Sequence, residues 1–514
     1  MDSHAENTRR IAKNTLMLYV RMLFGMLVSL YTSRVVLNTL GVEDYGIYNV
    51  VGGVVAMMGI LNGAMSTSTQ RFLNFELGTG NKTRLQQIFG MSLNIYFLFA
   101  AVFVILAETV GLWFMNTHLL IPEDRMMAAN YIFQFSIFAT VISLISNPYN
   151  AAIVAHERMD IYAYTSIFEV FVKLGIVFLL LVIPFDKLIG YGLFLACTSC
   201  LVTLIYYIFC KRHFEECQYK FYWDRTLFQQ LFSYFGWNLF GSTAGLVKTE
   251  GLNIILNMFF NPAVNAARGI ACQINNVLMQ FFSNFYTAVR PQIIKYYAQG
   301  EISSMLDLVF RSTRYSFFLC LLVCMPVMVE APYLINFWLG QTPEYVIVFT
   351  RLIIVISIVD ALAAPIMTAA HATGKIRLYQ FVVGMISILN IPISYVILKY
   401  VVHNAVIVYA ISFGLTIVAF IVRLLIVKHL IDFSISIYIR TIIMKIILLS
   451  ILSAIIPISL HVILQSNFLN CVLILVVSVL SSGIFIYIIG MNRGERMAVI
   501  NVIHNRFKSY GIGR

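Results

Sequence analysis

The sequence predicts an all-α polytopic membrane protein of about 14 transmembrane helices, and three observations predict it. First, the chain of 514 residues is 60% hydrophobic and only 11% charged, with a mean hydropathy of +0.85. A soluble globular protein carries about 25% charged residues, so a water-facing surface cannot be built from this composition. Second, the apolar runs are continuous over about 20 residues, the length of a helix that crosses the hydrocarbon. They are not the roughly ten-residue alternating segments of an outer-membrane barrel. Third, the segments between the runs alternate in basic charge. The net charge of +12 is therefore read as loops held on the cytoplasmic side, not as a nucleic-acid footprint.

The apolar segments are expected at about 14–39, 47–69, 88–114, 127–153, 162–184, 188–210, 232–258, 263–288, 309–335, 345–370, 379–400, 404–427, 441–464 and 468–490. Arg9, Arg10 and Lys13 precede the first run, which continues past Arg21 to Leu40 with no small-residue cleavage site. It is expected to be a transmembrane helix and not a removable signal. With the N-terminus inside, the alternate connections hold 26 of the 35 basic residues, counting those within a few residues of helix ends. The opposite connections hold Arg125, Lys187 and Lys399. Arg21, Arg34, Lys173, Lys248, Arg268 and Arg351 are left at membrane depth. This alternation places both termini in the cytoplasm.

The chain also resembles itself. NPYNAAIVAHERMDIYA (147–163) lies on APIMTAAHATGKIRLYQ (364–380) at an offset of 217. VVLNTLGVEDYGIYNV (35–50) lies on IILNMFFNPAVNAARG (254–269) at 219, and LQQIF (85–89) on LDLVF (306–310) at 221. Two six-helix repeats of the same orientation are expected, related by an axis along the membrane normal and forming a V-shaped central cleft. The expected division is a first half over 1–212, a second over 213–430, and an appendix of two helices with a cytoplasmic tail over 431–514.

Polar side chains at membrane depth are costly and tend to face a cavity or one another. They concentrate in the first two segments and in the seventh and eighth, the opening pair of each half. Lys248, Arg268, Arg34 and Arg21 are the expected cleft cations, though Lys248 also suits a partner on another helix, and Arg268 and Arg34, near the outer ends of their helices, equally suit snorkelling to the interface. Glu250, Asp360, Asn238 and Lys173 are candidate coupling or cleft polar groups. Lys173 follows Glu169 by four residues, a spacing that also suits a self-neutralising pair. Asp360 equally suits a helix cap or an inter-helix bond. The six basic residues outnumber Glu108, Glu169, Glu250 and Asp360, so the balance favours an anionic ligand.

Other apparent chemistry reads as structure. His156, Glu157, Arg158 and Asp160 follow Pro148 in a stretch that suggests an active site, yet its repeat partner carries Thr373 and Gly374, so a cytoplasmic turn explains the charges. Cys197 and Cys200 form a C-x-x-C inside an apolar run and read as small buried hydrophobes, since no second pair has zinc spacing. GTGNKT (78–83) lacks phosphate-loop spacing, and there is no HExxH, G-x-S-x-G or G-x-G-x-x-G. No enzyme activity, metal or cofactor is expected. A membrane glycosyltransferase or polymerase would need a sizeable loop or acidic cluster that the sequence does not supply.

SRVVLNTLGVEDYGIYNVVGG (33–53), STSTQRFLNFELGTGN (66–81) and NPYNAAIVAHERMDIYAY (147–164), together with the duplicated helices, resemble the multidrug/oligosaccharidyl-lipid/polysaccharide (MOP) exporter superfamily. The local text is similar to its polysaccharide branch, the Wzx-type O-antigen and capsule flippases, over essentially the whole chain. The resemblance implies a monomeric bacterial inner-membrane protein that flips an undecaprenyl-diphosphate-linked oligosaccharide by alternating access. Its implied partners are membrane lipids, a polysaccharide polymerase and a chain-length regulator, with no nucleic acid. Related lipid II flippases use arginines near a motif like VRMLFG, which makes Arg21 the best carry-over. The acidic residue in helix one of some proton-coupled drug exporters is not seen here. An ion-coupled multidrug antiporter of the same superfamily is the alternative.

Overall fold

The computed structural model describes residues 2–497 apart from 57, 58, 119, 120, 185, 261 and 341, and every regular element among the described residues is helical. In chain order these are α1 (Asp2–Ala56), α2 (Gly59–Thr79), α3 (Lys82–Leu106), α4 (Leu112–His118), α5 (Met126–Ala155), α6 (Met159–Leu179), α7 (Lys187–His213), α8 (Arg225–Phe259) and α9 (Pro262–Ala298). They continue as α10 (Ile302–Val329), α11 (Ala331–Leu339), α12 (Val346–Ala372), α13 (Arg377–Ile388), α14 (Asn390–Tyr400), α15 (Val406–Ile431), α16 (Ile435–Tyr438), α17 (Met444–Ile463) and α18 (Phe468–Phe485). In hydrocarbon each backbone amide and carbonyl must be bonded within the chain, and a helix does this within one segment.

Among the described residues, ten helical stretches are long and apolar enough to cross a membrane by length and composition. They run from Lys82–Thr117 to Phe468–Gly490 and correspond to ten of the expected segments. The other four expected segments are the two limbs of chain around Gly41, α8 and α9. These are the segments in which the sequence concentrates its polar residues. Gly41, at φ 83 and ψ 168, breaks α1 between the first two.

By packing, the chain forms two compact units. The first comprises Met1–Thr243 and Thr287–Glu301, the second Ala244–Tyr286 and Ile302–Arg514. This partition differs from the repeat division because the chain changes unit within α8 and again within α9. In the first unit α5 lies against α7, α2 and α3, around buried Leu73, Phe89, Met91 and Phe133. In the second, α12 packs on α15 and α10, around buried Phe349 and Ile354. The appended pair α17 and α18 joins this unit through α10. Polar ties fix it there: His461 on α17 meets buried Glu330 at 2.7 Å, and Arg314 on α10 meets Glu495 at 2.8 Å.

The duplication is written in the turns. Gly80 (φ 74) between α2 and α3 corresponds to Gly300 (φ 78) between α9 and α10. Glu157 (φ 59) between α5 and α6 corresponds at an offset of 217 to Gly374 (φ 76) between α12 and α13. Pro148 and Pro365 lie inside α5 and α12, and neither ends its helix. The basic stretch after α7 is no free loop. Residues 218–224 run alongside α3, where Asn94 Nδ2 donates to the Tyr222 carbonyl at 2.9 Å and the Tyr219 hydroxyl to Asn94 Oδ1 at 2.8 Å.

At the opposite end of the first unit Arg125 bridges two carboxylates. Its Nε lies 2.8 Å from Asp44 on α1 and its Nη1 2.6 Å from Asp186, which caps the N-terminus of α7. Burial raises the Asp186 carboxyl, but the amides of Ile189 and Leu188 and the Arg125 guanidinium outweigh it and hold the group below its ordinary range. A depressed folded pKa contributes stability that is present above about pH 4 and is lost as pH falls through the folded value. The thermal midpoint of the solubilised protein is therefore expected to fall on acidification below pH ~4. Asp186→Asn keeps the cap and loses the charge, so it should shrink that fall. An equal fall in wild type and variant would remove Asp186 from the account.

Candidate functional site

A charge within the membrane must be neutralised, bonded or wet. The candidate residues divide by what they meet. Lys173 Nζ lies 2.6 Å from Glu169 one turn back on α6, so the four-residue spacing yields a self-neutralising pair. Asp360 on α12 receives Arg423 of α15 at 3.1 Å. It is an inter-helix ion pair with its cation already supplied by the chain. Arg351 donates to the carbonyls of Met328 and Val329 at 2.9 and 3.4 Å, closing the C-terminal end of α10. These residues have their charge or hydrogen bonds accounted for within the fold.

The expected cleft cations differ in kind, because their partners are neutral. In the first unit the Arg21 guanidinium lies over the Tyr162 ring, 4.4 Å from its centroid. In the second, Lys248 on α8 donates to the Thr416 hydroxyl of α15 at 3.2 Å. Arg268 on α9 is buried and donates to the Thr249 carbonyl of α8 at 2.5 Å, while its Nε has no bonded partner. Lys248 on α8 and Arg268 on α9 thus have no carboxylate hydrogen-bonded to them, although Asp360 of α12 acts on Lys248 through space. Glu250, two residues beyond Lys248, is exposed, as its different projection from the helix requires. The Arg34 side chain lies outside the described residues. Asn238 is buried in the first unit and donates to Ser68 on α2 at 3.0 Å, which makes it a packing group between α2 and α8.

Sequence reasoning missed a polar centre in the turn after α5. Glu157 is buried, with only 1% of its side chain exposed. It receives Lys295 Nζ from α9 at 2.7 Å on Oε1 and stands 2.7 Å from Arg10 Nε of α1 on Oε2. Its carbonyl accepts from Asn14 at 3.0 Å. The alignment with Gly374 was the available signal, since an acidic residue stands where the repeat has glycine. Burial lowers the Lys295 ammonium from its ordinary range while the Glu157 carboxylate opposes the shift. The flanking residues look elsewhere. His156 bonds Glu216 and stacks on Phe214 with ring centroids 3.9 Å apart, and Arg158 grips Asp160 through two bonds of 3.0 and 2.9 Å. Among the described residues no group of His, Cys, Asp and Glu could hold a metal. Cys197 and Cys200 are free. Cys197 is exposed and not buried as its apolar run suggested, lying in an apolar groove of α5 and α7 with Phe138 and Leu201.

No family model and no curated protein matches the chain. Solved structures do. A MATE in complex with MaD3S aligns with a TM-score of 0.70 at 13% identity, over 83% of this chain and 97% of that one. An outward-facing multidrug resistance MATE family transporter of the MOP superfamily aligns with a TM-score of 0.71 at 13% identity, over 83% and 96%. A MOP superfamily transporter from Pyrococcus furiosus, described as having a binding pocket of reverse polarity, aligns with a TM-score of 0.66 at 13% identity, over 82% and 96%. The likeness is one of fold. The chain has the polytopic helical fold of MATE transporters in the MOP superfamily, and the likeness does not single out the polysaccharide branch.

The Asp360–Arg423 pair carries a prediction. Removing one member of such a pair strands the other charge, while removing both does not. Asp360→Ala is expected to destabilise the solubilised protein by about 2–3 kcal/mol, under the 3–5 of a fully buried pair. The double variant Asp360→Leu, Arg423→Leu should recover most of that loss in thermal unfolding. Equal destabilisation in both would show that the charges are not energetically coupled.

Proposed function

We propose that this protein is an alternating-access membrane transporter of the bacterial inner membrane, with both termini in the cytoplasm, and that its substrate is anionic. The observation that carries the anionic reading is the neutral partnering of Arg21, Lys248 and Arg268. In a low-dielectric site such cations attract an anion by Coulomb's law. A pump for organic cations would want the opposite sign. In this reading the cargo is an undecaprenyl-diphosphate-linked oligosaccharide, an O-antigen, capsule or exopolysaccharide unit, carried from the cytoplasmic to the periplasmic leaflet. The diphosphate would meet the cations. The protein works as a monomer, with a polysaccharide polymerase and chain-length regulator downstream.

The second reading is an ion-coupled multidrug antiporter. The comparisons weigh toward it, since the similar structures include MATE proteins, one of them described as a multidrug resistance transporter. The reverse-polarity neighbour is a reminder that one fold serves more than one function.

Deleting the gene separates the two readings. Loss of surface glycan with lipid-linked repeat units accumulating inside supports the flippase. Normal glycan with raised drug sensitivity supports the antiporter. Within the flippase reading, Lys248→Ala and Arg21→Ala are each expected to lower glycan display about tenfold, the equivalent of losing ~1.4 kcal/mol of substrate interaction, with the amount of folded protein unchanged. Full display in both variants would remove these residues from the substrate path.

A further inference from the structure

Glu157 holds a backbone conformation that L-residues avoid. Its φ of 59 lies in the left-handed region, where a side chain's Cβ crowds the following carbonyl oxygen. The second repeat makes the corresponding turn with Gly374 at φ 76, where no such crowding arises. The turn itself therefore does not need a carboxylate. What the glutamate adds is its side chain, almost fully enclosed and set between Lys295 and Arg10 at 2.7 Å each. The neighbouring charges do not compete for it, because His156 and Arg158 bond Glu216 and Asp160. Strain retained at one position and absent from its duplicate points to a role for the group it presents.

The partners span the duplication. Glu157 and Arg10 belong to the first repeat, while Lys295 and Gln292, which accepts from Arg10 at 3.1 Å, lie near the end of α9 in the second. This end of α9 nonetheless packs within the first compact unit. Gly78 makes the close approach possible: a Cβ there would stand 2.7 Å from Ala298 Cβ and 2.9 Å from the Lys295 carbonyl oxygen. Repeats that rock against each other must keep such a contact in one state and release it in the other. The contact lies at the end of the molecule marked as cytoplasmic by its basic loops. We propose that Glu157, Lys295 and Arg10 form a latch that closes the transport path at that end. The assignment rests on the alternating-access reading above.

The test uses the full-length protein in lipid nanodiscs, with spin labels introduced as non-natural residues at exposed Thr79 and Gln299, beside Gly78 and Ala298. Wild type is expected to give mainly a short distance. Glu157→Gln and Lys295→Met each remove one charge of the node, and each should raise the ratio of long to short distances about tenfold, as ~1.4 kcal/mol of lost latching would. Glu157→Gly relieves the backbone strain and also removes the carboxylate, so it should open the latch equally. Should Glu157→Gln fold poorly, Lys295→Met carries the test alone. Unchanged distances in all three variants overturn the latch. So does a response to Glu157→Gly alone, since strain and not charge would then control the turn. The readout needs no substrate. Normal transport without any distance response sinks the latch alone, whereas a distance response in a protein that moves neither glycan precursor nor drug upholds the latch and sinks the transport reading.

Discussion

The structure depends on the intolerance of hydrocarbon for uncompensated polarity. Backbone groups are satisfied by winding the described chain into helices. Side-chain charge is handled residue by residue. Lys173 uses its own helix, Asp360 recruits a cation from α15, and Arg351 ends on the carbonyls that α10 leaves open. These solutions leave Arg21, Lys248 and Arg268, held by a ring, a hydroxyl and a carbonyl, along with exposed Glu250 and a Glu108 that accepts from Gln134. Neutral partners orient a cation without discharging it. An arrangement that orients charge and keeps it suits binding better than folding alone.

Much of the fold was legible in the sequence because the membrane reduces structure to length and hydropathy. The ten apolar helices found among the described residues coincide with expected segments, and α8 and α9, where the sequence concentrates polar side chains, are not among them. The repeat was legible from weak text because its register was constant, and the left-handed turns at Gly80 and Gly300, and at Glu157 and Gly374, now give it a backbone basis. The i, i+4 pair of Glu169 and Lys173 could be read from spacing. The partner of Asp360 could not, since Arg423 lies 63 residues away on another helix and hydropathy carries no information about which helices touch. The compact units were likewise hidden: nothing in the composition of α8 or α9 marks Thr243 or Tyr286 as the point where packing changes.

The stretch around Glu157 illustrates a different limit. Composition presented His156, Glu157, Arg158 and Asp160 as one cluster, and the positive-inside pattern explained them as one turn. In the structure they are separate. Two members pair locally, one reaches Glu216, and only Glu157 turns inward. Backbone sign decides this: a residue at positive φ directs its side chain away from the path its neighbours follow, and no periodicity reveals a single residue of reversed hand. Comparing duplicate turns does reveal it, because glycine in one copy marks the conformation that the other copy must adopt with a side chain.

The polarity of α8 and α9 has a consequence for biogenesis. A helix entering the bilayer from the translocon is judged by hydropathy before its tertiary partners exist, and α8 and α9 are not among the apolar stretches found in the described residues. Lys248 on α8 bonds Thr416 on α15, a helix made more than 150 residues later. Arg268 must likewise find the α8 carbonyl while both helices are newly delivered. The α8–α9 hairpin therefore depends on early association between its own limbs, and its final charge satisfaction waits for the end of synthesis. The cations held by neutral partners are thus among the residues that make insertion hardest, and the apolar helices supply the surroundings that let them stay.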